Sequence, residues 1–158
     1  DKVTIYGAEA EGELYLDTLG LPLGSRLRGS LAYAHGTDEE SDQPINNIDP
    51  LKGVMGLGYD EPASRYGGEL IWTLVADKSR IDETETANQY QPAGYGLLDL
   101  TAYWQITEGV QLNGGVYNLT DKQYWNWTDV RGLPSTQAGV ARYSQPGRNA
   151  SVNIVWEI

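Results

Sequence analysis

The chain has 158 residues, no cysteine, one histidine, and 22 acidic against 11 basic side chains, a formal charge of −11 at pH 7. That balance excludes a nucleic-acid binder, which needs a basic footprint. The missing thiols and the lone histidine exclude a disulfide framework, a thiolate metal site and a histidine metal cluster.

Aromatic usage is selective: 11 Tyr and 5 Trp but no Phe. Tyr and Trp join an apolar body to a polar tip, which suits a boundary between apolar and wet surroundings. No apolar run approaches the roughly 20 residues that a membrane helix needs. A mean hydropathy of −0.46 is compatible with a membrane barrel, whose strands alternate apolar and polar residues.

Taken in chain order, the sequence predicts strands by period-2 alternation in blocks bounded by Gly, Pro, Asp and Asn. From Thr4, one parity reads Tyr6, Ala8, Ala10, Gly12, Leu14, Leu16, and the other Glu9, Glu11, Glu13, Tyr15. The second block, Arg26 to His35, sets Leu27, Gly29, Leu31 and Tyr33 against Arg26, Arg28, Ser30 and Ala32. The third, Leu51 to Tyr59, puts Met55, Leu57 and Tyr59 on one side, with Val54 blurring the pattern. The fourth alternates Tyr66, Gly68, Leu70, Trp72 and Leu74 with Gly67, Glu69, Ile71 and Thr73. Leu98, Leu100, Ala102, Trp104 and Ile106 oppose Asp99, Thr101, Tyr103 and Gln105 in the fifth. The sixth sets Val110, Leu112, Gly114 and Val116 against Gln111, Asn113 and Tyr117, and the last sets Val152, Ile154, Trp156 and Ile158 against Ser151, Asn153 and Glu157.

The expected fold class is therefore all-β, about seven antiparallel strands in a meander. Glu9, Glu11 and Glu13 share one strand face and need water there, because an unpaired buried charge costs several kcal/mol. The opposite face needs an apolar medium. Connections alternate in length: short at 17–24, 60–64 and 107–109, long at 36–50, 78–95 and about 119–148. Short turns at one end and long loops at the other mark an outer-membrane barrel with its long loops outside the cell. That orientation puts the C-terminus in the periplasm and gathers Tyr59, Tyr66, Trp104 and Trp156 near the periplasmic strand ends, as an interfacial aromatic girdle.

Three segments carry a resemblance. Val116-Tyr117-Asn118-Leu119-Thr120-Asp121-Lys122-Gln123-Tyr124 resembles the penultimate-strand motif of TonB-dependent receptors. Gln145-Pro146-Gly147-Arg148-Asn149 and the alternating strand after it resemble that family's final strand, and Tyr95 to Leu100 its antepenultimate strand. The stretch from Tyr124 to Gly132 resembles the haem and haemoglobin receptor branch more than the siderophore branch.

The resemblance implies that residues 1–158 form the C-terminal segment of a barrel of about 22 strands, with the plug domain and TonB box absent. It implies active uptake of an iron-bearing ligand, haem or haemoglobin, or alternatively a ferric siderophore. The implied partners are outer-membrane lipid and lipopolysaccharide, the TonB complex acting through the plug, and the remainder of the barrel. Ligand-binding candidates are the loop aromatics and cations Trp125, Trp127, Arg131, Arg142 and Tyr143. Trp156 and Ile158 stand where the family carries its assembly signal, with Ile in place of the usual terminal Phe.

No catalytic constellation emerges, and no intrinsic cofactor or metal is expected. Ser-His-Asp chemistry would hang on His35 alone, and the glutamates are explained more simply as lumen-facing residues than as a glycosidase pair. The acidic run from Asp38 to Asp42 reads as a solvated loop tip. The rival from another class is a soluble β-sandwich or lectin-like module, which requires the apolar faces to pack on one another.

Overall fold

The computed structural model describes residues 2–157. Its strands are β1 (Val3–Tyr15), β2 (Ser25–Asp38), β3 (Gln43–Pro44), β4 (Lys52–Asp60), β5 (Tyr66–Val75), β6 (Tyr95–Thr107), β7 (Val110–Tyr117) and β8 (Asn149–Trp156). All pairings are antiparallel, in the order β1-β2-β4-β5-β6-β7-β8. The short β3 pairs only with the end of β2. The fold is thus the expected all-β meander, with seven long strands and one two-residue addition.

Because directly opposed residues share a face, register carries the faces across the sheet. One row runs Leu14, Leu27, Leu57, Leu70, Leu100, Val116, Ala150. One residue along, on the other side, a row runs Glu13, Arg28, Gly56, Ile71, Asp99. The glutamates therefore oppose the face of Leu98, Leu100, Ala102, Trp104, Val152, Ile154 and Trp156. Val54, which blurs the alternation of β4, pairs with Ser30 and Thr73 on the polar side. Among the described residues, no strand residue on the apolar face carries a carboxylate, lysine or arginine.

A soluble sheet buries one face against a second layer. Here the apolar face is uncovered: Leu57 is 53% exposed, Trp104 55% and Ile154 66%. The sandwich reading is corrected on that ground, since no second layer packs on the apolar side-chain rows. Among the described residues, Leu16, Trp127 and Val130 are buried apolar side chains. Leu16 opens a 3-10 turn, Leu16–Leu19, inside the first short connection, and the other two lie in the last long loop.

The strand ends explain the loop sorting. Gly24 has φ +94 and a Cβ there would run into the Asp60 carbonyl oxygen, so only glycine fits where this turn crosses the end of β4. The next short turn is pinned by Glu61, whose carboxylate accepts from the backbone N–H groups of Ala63 and Arg65.

Candidate loop cap and lumen face

The segment carrying the family resemblance is a self-bonded turn. Asn118 sits at φ 52 and Asp121 at φ 52, positions Asn and Asp tolerate better than other side chains. Asn118 Nδ2 donates to the Lys122 carbonyl at 2.8 Å, while its Oδ1 accepts from the Lys122 N–H at 2.8 Å. The Asn118 N–H donates to Asp99 Oδ1 at 2.7 Å, tying the turn to β6, and Asp121 Oδ1 accepts from the Arg148 N–H at 2.8 Å. The motif thus clamps both ends of the 118–148 loop to the barrel wall.

Above it, three long loops interlock. Trp127 Nε1 donates to the Asn46 carbonyl at 2.7 Å, and Asn46 exchanges side-chain bonds with the Asp82 backbone. Gln89 Nε2 donates to the Asp82 carbonyl, and its Oε1 accepts from the Gly132 N–H. Tyr90 and Leu133 join the same two loops through their backbones at 2.8 Å. Lys78 donates to the Ile48 carbonyl at 2.7 Å and lies 5.4 Å from the centre of the Trp127 ring system. Burial pushes its ammonium pKa below the ordinary lysine value, with Arg80 pressing the same way.

This cap decides what the five candidate residues can do. Trp127, 3% exposed, is buried in the cap together with Val130 of the same short helix. Its indole N–H bonds the Asn46 carbonyl and Lys78 stands over its ring, so it joins three loops while also lining the hollow beneath them. Trp125 is half-buried, its Nε1 donating to the Val140 carbonyl at 3.0 Å and its ring edge-on to Tyr90. Arg131, Arg142 and Tyr143 are exposed on the same loop. Sequence reasoning misses Lys78, Asn46 and Gln89, whose roles depend on contacts between loops distant in sequence.

On the wet face of the wall, Arg26 pairs with Asp60 and Arg28 with Glu69, and the Tyr103 hydroxyl donates to Asp60 at 3.0 Å. Beneath the cap a hollow of about 420 Å³ opens on this side, lined by Glu9, Lys52, Asp49, Tyr95, Asn126 and Trp127 among others. On the apolar face Tyr66 stands directly opposite Trp104, and the Tyr59 ring lies 6.4 Å from Tyr66. Trp156 closes β8 at the same end, whereas Ile158 lies outside the described residues.

A sheet with one charge-free face, one ion-paired face and all long loops at one end is the wall of a transmembrane barrel. The family model described as "TonB dependent receptor-like, beta-barrel" matches residues 1–119, and the chain belongs to that family. It is 32% identical to the hemoglobin-haptoglobin utilization protein B of Neisseria meningitidis serogroup C, over 95% of this chain and 21% of that protein. Against hemoglobin-binding protein A of Haemophilus influenzae it is 29% identical, over 99% of this chain and 18% of the relative. The chain thus spans about a fifth of the length of the curated relatives it matches. Among solved structures, the copper transporter OprC superposes with a TM-score of 0.82 at 25% identity, covering 99% of this chain and 24% of that one. The ferric enterobactin receptor of Pseudomonas aeruginosa shares the fold, with a TM-score of 0.69 at 19% identity over 96% of this chain and 22% of its own.

Proposed function

We propose that this chain forms part of the transmembrane wall and extracellular cap of an outer-membrane receptor that takes up haem iron from haemoglobin. The observation that carries the reading is its likeness, over nearly its whole length, to haemoglobin-binding receptors. The short turns and the C-terminus lie on the periplasmic side, and the interlocked loops face outward. Tyr59, Tyr66, Trp104 and Trp156 form the inner girdle at the lipid boundary, with Trp156 and Ile158 serving barrel assembly. The other strands of the barrel cover the free edges of β1 and β8, which lipid cannot solvate. Energy for uptake comes from the TonB complex acting through a plug domain, and lipopolysaccharide surrounds the outer rim.

Ligand capture falls to the exposed side of the 118–148 loop: Arg131, Arg142, Tyr143 and the open edge of Trp125, with Trp127 holding the loop in shape. Growth of a strain dependent on the full receptor tests this, with haemoglobin, free haem or a ferric siderophore as the sole iron source. Growth on haemoglobin that falls when Arg131, Arg142 and Tyr143 are jointly changed to Ala is the expected result. Growth supported only by the siderophore would overturn the haem reading, and unchanged haemoglobin binding in the triple variant would remove the loop assignment.

A further inference from the structure

The pairing of β2 with β4 stops at Ala32, opposite Lys52, while β1 and β2 continue together to Val3 and Asp38. His35 therefore stands in a two-stranded hairpin above the rows shared by the sheet. Tyr6 is directly opposite on β1, and its ring stacks on the imidazole with centroids 4.7 Å apart. From the loop after β5, Arg80 reaches this hairpin: its Nη1 is 2.7 Å from His35 Nε2 and 2.8 Å from Nδ1, and its Nη2 is 3.4 Å from Thr37 Oγ1. Among the described residues, Arg80 supplies the side-chain hydrogen bonds that join this loop to β2. The loop's other ties run to its fellow cap loops, from Lys78 to the Ile48 carbonyl and from Asp82 to Asn46.

The contact between Arg80 and His35 depends on charge state. A guanidinium has donors only, so the ring nitrogen that meets it must carry a lone pair. Either tautomer of neutral imidazole offers one; the imidazolium offers none and adds a positive charge beside Arg80. The other titratable or charged groups around the pair are Tyr6 on β1, Tyr33 on β2, Asp49 in the 39–51 loop, and Asp77 and Lys78 on the loop of Arg80. Asp49 and Asp77 line a crevice of about 170 Å³ with His35 and Arg80. They are the counter-charges available to the imidazolium and to a released Arg80, whereas Lys78 adds to the repulsion. Tyr33, Ala34, Ile48, Asp49 and Pro50 line both this crevice and the 420 Å³ hollow beneath the cap. The seam that Arg80 closes thus lies directly beside the hollow.

We propose that His35 and Arg80 form a proton-sensitive latch between the cap and the β1–β2 hairpin. The latch is closed while the imidazole is neutral. It releases when the ring takes a proton, and the freed seam joins the crevice to the hollow as a side entrance beneath the cap. Histidine is the side chain that changes charge between about pH 5 and 8, so the closed form belongs to the upper end of that range and the open form to the lower.

The test places a spin label at Ser79, an exposed position next to Arg80, in the full receptor in vesicles, with any cysteine outside this chain replaced by serine. The motion of the label is read at about pH 8 and about pH 5, the two ends of the histidine range. The mobile fraction should rise severalfold at the lower pH. In His35→Gln, whose amide oxygen accepts from Arg80 and takes no proton, the label should stay restricted at both. In His35→Lys, which is charged throughout, it should be mobile at both. A label at Thr101 on β6 should move equally at the two pH values, since the wall is not part of the latch. Equal motion at position 79 in the unsubstituted receptor would overturn the latch. So would a pH response that survives in His35→Gln, which would assign it to Asp49 or Asp77, or a matching change at 101. Iron-source growth plays no part in this readout, so the latch and the assignment of the ligand fail separately.

Discussion

Replacing Leu100 with Arg probes the division of faces most sharply. Leu100 stands four residues above Trp104 on β6, about 13 Å along the strand and roughly 10 Å of height at a tilt of about 40°. In an apolar band about 25 Å tall, that is close to the midplane, where an Arg costs roughly 2–4 kcal/mol. Its cross-strand neighbours are Leu70 and Val116, so nothing on that face can pair the guanidinium. Thr101 is one residue along and faces the lumen, opposite Glu69 and Gly115. An Arg there meets water and a carboxylate and should cost little, since such exposed pairs contribute about 0–1 kcal/mol. Urea unfolding of the full receptor refolded into lipid vesicles measures both. Leu100→Arg should lose at least about 2 kcal/mol more than Thr101→Arg, on the same midplane scale. Equal stability of the two variants would refute the face assignment.

The cap and the turns are open to similar tests. Trp127→Ala should open the cap as a unit, raising protease cleavage in the loops at 39–51 and 76–94 as well as its own; cleavage confined to 118–148 would show that the loops are independent. Gly24→Ala should destabilise the refolded receptor more than Gly20→Ala: both positions have positive φ, but only Gly24 meets backbone, so equal losses in the same urea assay would contradict the turn packing. The hydrogen bonds and charge of Arg65 hold the Glu61 carboxyl below the usual glutamate value. The contribution of this turn is therefore present above the unfolded glutamate pKa and is lost as pH falls through the lowered folded one; Glu61→Gln should abolish that acid-side dependence, and an unaltered pH profile would remove Glu61 from the account.

Much of the fold is legible in the sequence because strands write their faces at period 2. Leu98 to Ile106, Val152 to Trp156 and the three glutamates each take a side from alternation alone, and the register bears those assignments out. Loop lengths order the meander in the same way, since short and long connections alternate along the chain. The cap is what the sequence conceals. Trp127 in a long loop looks like an exposed aromatic, since no periodicity records that its N–H meets Asn46, 81 residues away. The Asn118 and Asp121 turn is recognisable as a motif but not as a clamp, because the bonds to Asp99 and Arg148 join three separate segments. Likewise the place of His35 at a strand end is readable, but its contact with Arg80 spans 45 residues and leaves no local signal.

Along one strand of this wall, alternate residues meet lipid and water. Single cysteines carrying a spin label are placed at 98, 99, 100, 101, 102 and 103 of the full receptor in vesicles, in a background where any cysteine outside this chain is replaced by serine, with collision rates measured for oxygen and for a water-soluble nickel complex. Even positions should favour oxygen and odd positions nickel, alternating at every step along β6. Six positions with uniform access to the nickel complex, or an alternation of opposite phase, would contradict the account.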